Sequence, residues 1–348
     1  MTIYQHYDGP WYLVVAKTFY NPDKIRDLKL EAVLPEKYFA AHLPLYPLLI
    51  RTVRELIQLT NLTSLPAGRQ ANGLGYLKSM VITNLLATIG LVLFFYYLLK
   101  KFKLTKNPLI LASVLLFLPR FLVIRSVGAP ESLFILLILL SLYFFEKDRF
   151  WLAGLFGGLA TMTKTPGILL FGAYGLVFIE RWFKEKRIDW RWLGIFLIPL
   201  GLLGAFGIYG LQYKDFLAYF HSGDNIHLVF PFSVFDFRKS WVGTAWLEDV
   251  LFYFFLYGIT VFSLKENKYR SLFYFSLVFF IATIFVQHRD ISRYSLPLWP
   301  MAMIVFEKFF TSKKFLIVFL ILLPAIYFYA WNFLGYNVMP IADWKPFL

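Results

Sequence analysis

Apolar runs close to the ~20 residues that cross a bilayer as a helix recur along this chain between short charged loops, and this pattern constrains the fold more than any other. About ten such segments are expected, at 79–99, 108–127, 129–145, 150–164, 165–180, 192–212, 246–264, 270–287, 293–310 and 315–335. A chain that is 59% hydrophobic and 16% charged, with a mean hydropathy of +0.61, lies outside the soluble range. Backbone groups in lipid are satisfied only by helices or closed barrels, and the alternating barrel pattern of about ten residues is absent. The expected fold class is an all-α polytopic membrane protein.

The net charge of +14 suggests a nucleic-acid partner until the cations are placed. They cluster between apolar runs, in KKFKLTK after Leu99, EKDR at 146–149, RWFKEKR after Glu180, KENKYR at 265–270 and EKFFTSKK at 307–314. These are alternate loops, which the positive-inside rule assigns to the cytoplasm, so nucleic acid is not the expected partner. The alternation puts 1–78 on the outer face as a first extracytoplasmic segment. A bundle over 79–335 follows, with an outer loop at 213–245 and an outer tail at 336–348. The opening residues lack the basic-then-apolar signal pattern, so a further transmembrane helix is expected to precede Met1 in the intact protein. Glu36 to Leu59 reads as an interfacial helix pair broken by Pro44 and Pro47. Asn61–Thr63 matches a glycosylation sequon.

The stretch YDGPWYLVVAKTFY (Tyr7–Tyr20) supports two readings. In one, Asp8 or Gly9 caps a surface helix with Pro10 at its first position. In the other, an acid ringed by His6, Tyr7, Trp11 and Tyr12 forms the rim of a site for amphipathic or sugar-like ligands. Ionisable residues elsewhere fall at outer-face span ends, where each is costly and normally has a partner or a function. They are Arg120, Arg125, Glu131, Lys164, His288, Arg289, Asp290 and Arg293. Several cations and two or three carboxylates would then surround a lipid-anchored phosphate. His221, Asp224 and His227 have spacings a metal could use, yet no HExxH, DxD or cysteine pair supports one. Walker A, GxGxxG and GxSxG motifs are also missing, so nucleotide-driven transport, nicotinamide chemistry and an esterase fold have no local support.

YDGPWYLVVAKTFY resembles the "DG, aromatic, YL, IA, GY" segment of the PIG-V-like mannosyltransferases, within the GT-C superfamily of integral-membrane glycosyltransferases. LPLYPLLIR (Leu43–Arg51), the block from Pro130 to Leu170 and RYSLPLWP (Arg293–Pro300) resemble further elements of that family, in family order. Phe19 stands where the family's "GY" has glycine. The resemblance implies inverting transfer of a sugar, expected to be mannose, from a polyprenyl or dolichyl monophosphate to an acceptor hydroxyl on the outer or luminal face. It places the catalytic acid at Asp8. Glu131 is then expected as a helper that orients Asp8's partner or the sugar, and Lys164, Arg289, Arg293 and Arg125 as cations for the departing phosphate. His6, Tyr7, Trp11, Tyr12, His221 and His288 are expected at the sugar or acceptor rim. The implied partners are the lipid-linked donor, membrane lipid and an acceptor of unspecified class, with no obligatory metal or cofactor. The implied membrane is a prokaryotic plasma membrane or the endoplasmic reticulum. A lipid or sugar-lipid transporter, or an inactive scaffold of the same fold, stay open as alternatives.

Overall fold

The computed structural model describes residues 2–6, 8–30, 34–61, 75–186, 189–225, 228–336 and 347. Regular structure among them is helical, and strand-like pairing is limited to the isolated bridges Leu228–Val286 and Val242–Ala245. Among the described residues, four helices are long and apolar enough to cross a membrane: Tyr76–Lys101, Thr165–Glu185, Trp190–Tyr213 and Lys313–Tyr336. A fifth is counted if Pro108–Leu116 and Pro119–Arg125, bent by 70°, form one span. The all-α class stands, but the expectation of ten spans does not.

The shortfall has a physical cause, since a hydropathy window sums apolar residues whether or not one helix contains them. The 129–145 window holds a helix that begins only at Glu131, and its 15 residues reach about 22 Å at 1.5 Å per residue. The 150–164 window holds 12 helical residues, and 293–310 is divided among four short helical pieces. The windows at 246–264 and 270–287 hold helices of 17 and 15 residues. A hydrocarbon core of about 30 Å exceeds the reach of the 12- and 15-residue helices.

Close helix packing arises where glycine removes side chains. The Phe150–Thr161 helix lies between Glu131–Phe145 and Leu197–Tyr213. A Cβ added to Gly201 would fall 2.4 Å from the Gly158 carbonyl oxygen, so the backbones meet directly. In the first segment, the Gly9–Thr18 helix is buried along nearly its whole length, which corrects its reading as a helix lying on the membrane surface. The Glu36–Leu59 pair is a 3-10 turn, Glu36–Ala41, followed by an amphipathic helix, Leu45–Asn61. The rest of the sequon lies outside the described residues, as does the tail apart from Tyr336 and Phe347.

The five basic loops meet at one end of the bundle. Tyr269 stacks on Phe102, Lys147 lies over Phe102, Arg181 pairs with Asp148, Arg270 with Glu180, and Thr105 with Glu307. The breaks carrying Glu131, Lys164 and Arg293 gather elsewhere. Gly201→Ala should cost about 1–3 kcal/mol through overpacking, seen as a lower unfolding temperature in detergent. Gly204→Ala, which meets nothing within 4 Å, should be close to neutral in the same assay.

Candidate functional site

Glu131 is the first residue of its helix, follows Pro130, and is 2% exposed. Its Oε1 accepts from Lys164 Nζ at 2.8 Å and from Arg293 Nε at 2.7 Å. Lys164 is extended, at the break between Phe150–Thr161 and the next 3-10 turn. That break is tight enough to need glycine, because a Cβ on Gly167 would lie 2.6 Å from Thr161 N. It is also tied to the first segment by Leu45 N donating to Met162 O at 3.0 Å. Arg293 sits in the short Ile291–Tyr294 helix, and its Nη2 reaches Asp8 Oδ2 at 3.3 Å. Residues from four distant parts of the chain therefore form one chain of charge contacts.

The two readings of Asp8 separate here. Its main-chain oxygen accepts from Trp11 N at 2.9 Å and Tyr12 N at 3.1 Å, as an N-cap residue's does, but its side chain makes no capping bond. The carboxylate is turned to Arg293 and is 32% exposed. It opens on a polar cavity of about 60 Å³ whose walls include Tyr12, His42, Thr163, Lys164, Asp224 and Arg293. Beside this cavity runs an apolar groove of about 460 Å³, lined among others by Leu169, Leu202, Phe206, Phe279 and Val286. Thr165, Pro166, Tyr219 and Tyr294 belong to both walls, so the polar cavity and the groove adjoin.

Of the residues expected from sequence, Asp8, Glu131, Lys164, Arg293 and Tyr12 come together. Trp11 does not serve as a rim: it is 3% exposed, packed edge-on against Tyr38 and Phe39. His6 is buried edge-on against Phe333 of the last helix, and burial lowers its pKa to about 4. Arg125 donates to Leu116 O at 2.9 Å and lies over Phe117, securing the bend between two helices instead of facing the cavity. Arg289 is exposed. His288 Nδ1 accepts from Asp290 N at 2.9 Å and its ring abuts Tyr294, one layer behind the cavity. His221 is paired with Asp215, which also binds Lys37, both at 2.8 Å. Tyr7 and His227 lie outside the described residues.

Sequence reading missed His42, Tyr219 and Tyr294 as cavity walls and placed Asp224 only in a metal set. His42 precedes the LPLYP stretch, a position that gives no local signal. Burial, partly opposed by the Asp8 carboxylate, lowers the His42 pKa to about 4. Desolvation and the Asp8 charge raise the pKa of Asp224, whose carboxylate meets the Tyr38 hydroxyl. Behind Arg293, Arg120 pairs with Asp290 and donates to Ser292 Oγ at 2.9 Å, fixing the turn that presents Arg293. No group of three or more metal-ligating side chains occurs among the described residues.

Comparison of the chain with protein-family models, with curated proteins and with solved structures gives no match.

Two measurements check this geometry. Glu131→Gln leaves two largely buried cations without their shared acid and should lower stability in detergent by about 3 kcal/mol, with partial recovery in Glu131→Gln/Lys164→Met. Because folding lowers the His42 pKa from 6.5 to about 4, its contribution is complete above pH 6.5 and is lost as pH falls through the folded value. The unfolding temperature should drop across that window. His42→Phe should flatten part of the drop, with His6 and His288, whose pKa values burial also lowers, contributing to what is left.

Proposed function

We propose that this protein is an inverting glycosyltransferase of the GT-C kind, moving a sugar, mannose in the first instance, from a polyprenyl or dolichyl monophosphate to an acceptor hydroxyl. The observation that carries the reading is the juxtaposition of an acid and two cations in a polar cavity with an apolar groove alongside. A lipid-linked sugar phosphate has that shape: a polar head with one anionic phosphate joined to a long hydrocarbon tail. The proposed setting is multi-pass, in a prokaryotic plasma membrane or the endoplasmic reticulum, with the cavity at the outer or luminal face opposite the basic loops.

In the proposed step the acceptor oxygen attacks the anomeric carbon from the face opposite the phosphate while Asp8 takes the hydroxyl proton. The new C–O bond forms as the anomeric carbon–phosphate oxygen bond breaks, and its electron pair leaves with the phosphate. That group gains one negative charge. Lys164 and Arg293 are held where this charge would develop, and their fixed positions avoid reorganisation during reaction. Glu131 is a positioning residue in this scheme: it is buried, touches both cations and holds Arg293, which is Asp8's own partner. Asp224 offers a second carboxylate at the cavity, suited to sugar hydroxyls.

A cavity of about 60 Å³ holds a few waters and not a hexose. Donor binding then requires the wall formed by Tyr219 and Asp224 to withdraw. That wall belongs to the non-helical stretch after Tyr213, fastened to the first segment through Lys37–Asp215.

The test is transfer by purified protein in nanodiscs from radiolabelled polyprenyl-phosphate mannose to a panel of acceptors. Asp8→Asn should lose about 10²–10⁴-fold in turnover, whereas Arg289→Ala should stay near wild type. Undiminished transfer by Asp8→Asn would sink the base assignment. Movement of the labelled lipid across the bilayer without any glycosidic product would replace the transferase reading with a transporter.

A further inference from the structure

The segment 228–246, which leads to the Glu248–Leu264 helix, has no part in the chemistry above, yet its surface is unusual. Phe237 and Trp246 are 85% and 88% exposed, and Leu228, Val229, Phe230 and Phe232 also turn large apolar areas outward. This is not a frayed loop. Val229 N donates to Phe285 O at 3.0 Å, Phe232 N to Ile284 O at 2.8 Å, and Trp241 Nε1 to Val234 O at 2.9 Å. Val234 is wholly buried with Val250, Phe254, Val286 and Ile291 in a small core of its own. Asp236 is buried and holds the Arg238 guanidinium. The segment is thus built and anchored while keeping its largest side chains outside.

So many large apolar side chains turned outward in one short segment mark a binding surface, and four observations favour lipid as what covers it. First, the segment is bonded to the last residues of the apolar Arg270–Ile284 helix, which fixes it at that helix's end. Second, the patch continues into outward-facing Leu251, Phe252 and Phe255 on the next apolar helix. Third, exposed Phe and Trp stand beside Arg238 and Lys239, the mixture that settles at a membrane interface. Fourth, Leu228 belongs both to the outward side chains and to the wall of the apolar groove, so the two adjoin there.

We propose that residues 228–246 form a membrane-inserted loop, with Phe230, Phe232, Phe237 and Trp246 seated in the interfacial layer of the leaflet and the groove opening at the same depth. The inference stands apart from the transferase reading, since it needs no reaction. It also alters the sequence-based picture of 213–245, which placed an outer loop there without a membrane contact.

The chain contains no cysteine, so a single introduced thiol is a unique label. Phe237→Cys and Trp246→Cys, both at exposed positions, are labelled with an environment-sensitive fluorophore and reconstituted in phosphatidylcholine nanodiscs. Leu320→Cys, at an exposed position on the long apolar Lys313–Tyr336 helix, gives the reference for immersion. Quenching by lipids carrying a nitroxide near the headgroup should exceed quenching by a water-soluble nitroxide severalfold at 237 and 246, with blue-shifted emission. The reverse order would place the loop in water and overturn the proposal. Protection from both quenchers would mean that protein, another copy or a different chain, covers the patch, and would overturn it as well. A chain that inserts as described but transfers no sugar leaves this inference intact and removes only the proposed reaction.

Discussion

A carboxylate buried at the head of an apolar helix is tolerated only with cations beside it, because the cost of desolvating an isolated ion exceeds what one helix can offset. Glu131 sets that condition for the whole molecule. Its single oxygen Oε1 is shared by Lys164 and Arg293, which are 33 and 162 residues away in the chain. To deliver those cations the backbone must leave the helix at 162–168 and again around 290–298. Arg293 in turn brings Asp8, 285 residues away, to the same place. One electrostatic demand therefore dictates where four otherwise unrelated segments must break and meet.

The shortened helices follow from the same demand. Glu131–Phe145 starts at the acid, Phe150–Thr161 stops just before Lys164, and the region after Asp290 is divided into short pieces around Arg293. Irregular backbone at such depth is sustainable where it lines a polar cavity and its groups find partners. Met162 O, for example, is taken by Leu45 N. For the windows at 129–145, 150–164 and 293–310, the lost span and the charged cavity are one structural fact seen from two sides.

This also explains what could be read in advance. Composition and run length reveal helices and their polar ends, because both are local properties of the sequence. Asp8, Glu131, Lys164 and Arg293 are legible for that reason: each is an ionisable residue at the edge of an apolar run, and such residues need partners. Arg125 and Arg289 satisfy the same rule and go elsewhere, one to a carbonyl at a helix bend and one to the exposed surface. The sequence offers no means of telling a cation that converges from one that caps. Trp11 was misplaced because aromatic residues serve cores and rims equally well, and burial is decided by what packs from outside, here Tyr38 and Phe39. His42 gave no sign at all, since its environment is made by Tyr12 and by charges far along the chain.

The chain after Tyr213, described over 214–225 and 228–246, touches these parts in turn. It begins at Asp215, held by Lys37 and His221, passes along the cavity wall at Tyr219 and Asp224, and forms part of the groove at Phe220, Asn225 and Leu228. It then presents Phe237 and Trp246 outward before the next helix begins. Tyr219 is common to cavity and groove, so it stands at their junction. The exposed ion pairs at Asp215 are weak compared with the buried contacts of Glu131, because water screens them. Tyr219 is nevertheless held as well, being buried and bonded to Thr165 Oγ1 at 3.0 Å. The charge cluster and the groove thus meet across side chains held from both sides, Thr165 and Tyr294 next to the cations and Tyr219 on the later stretch.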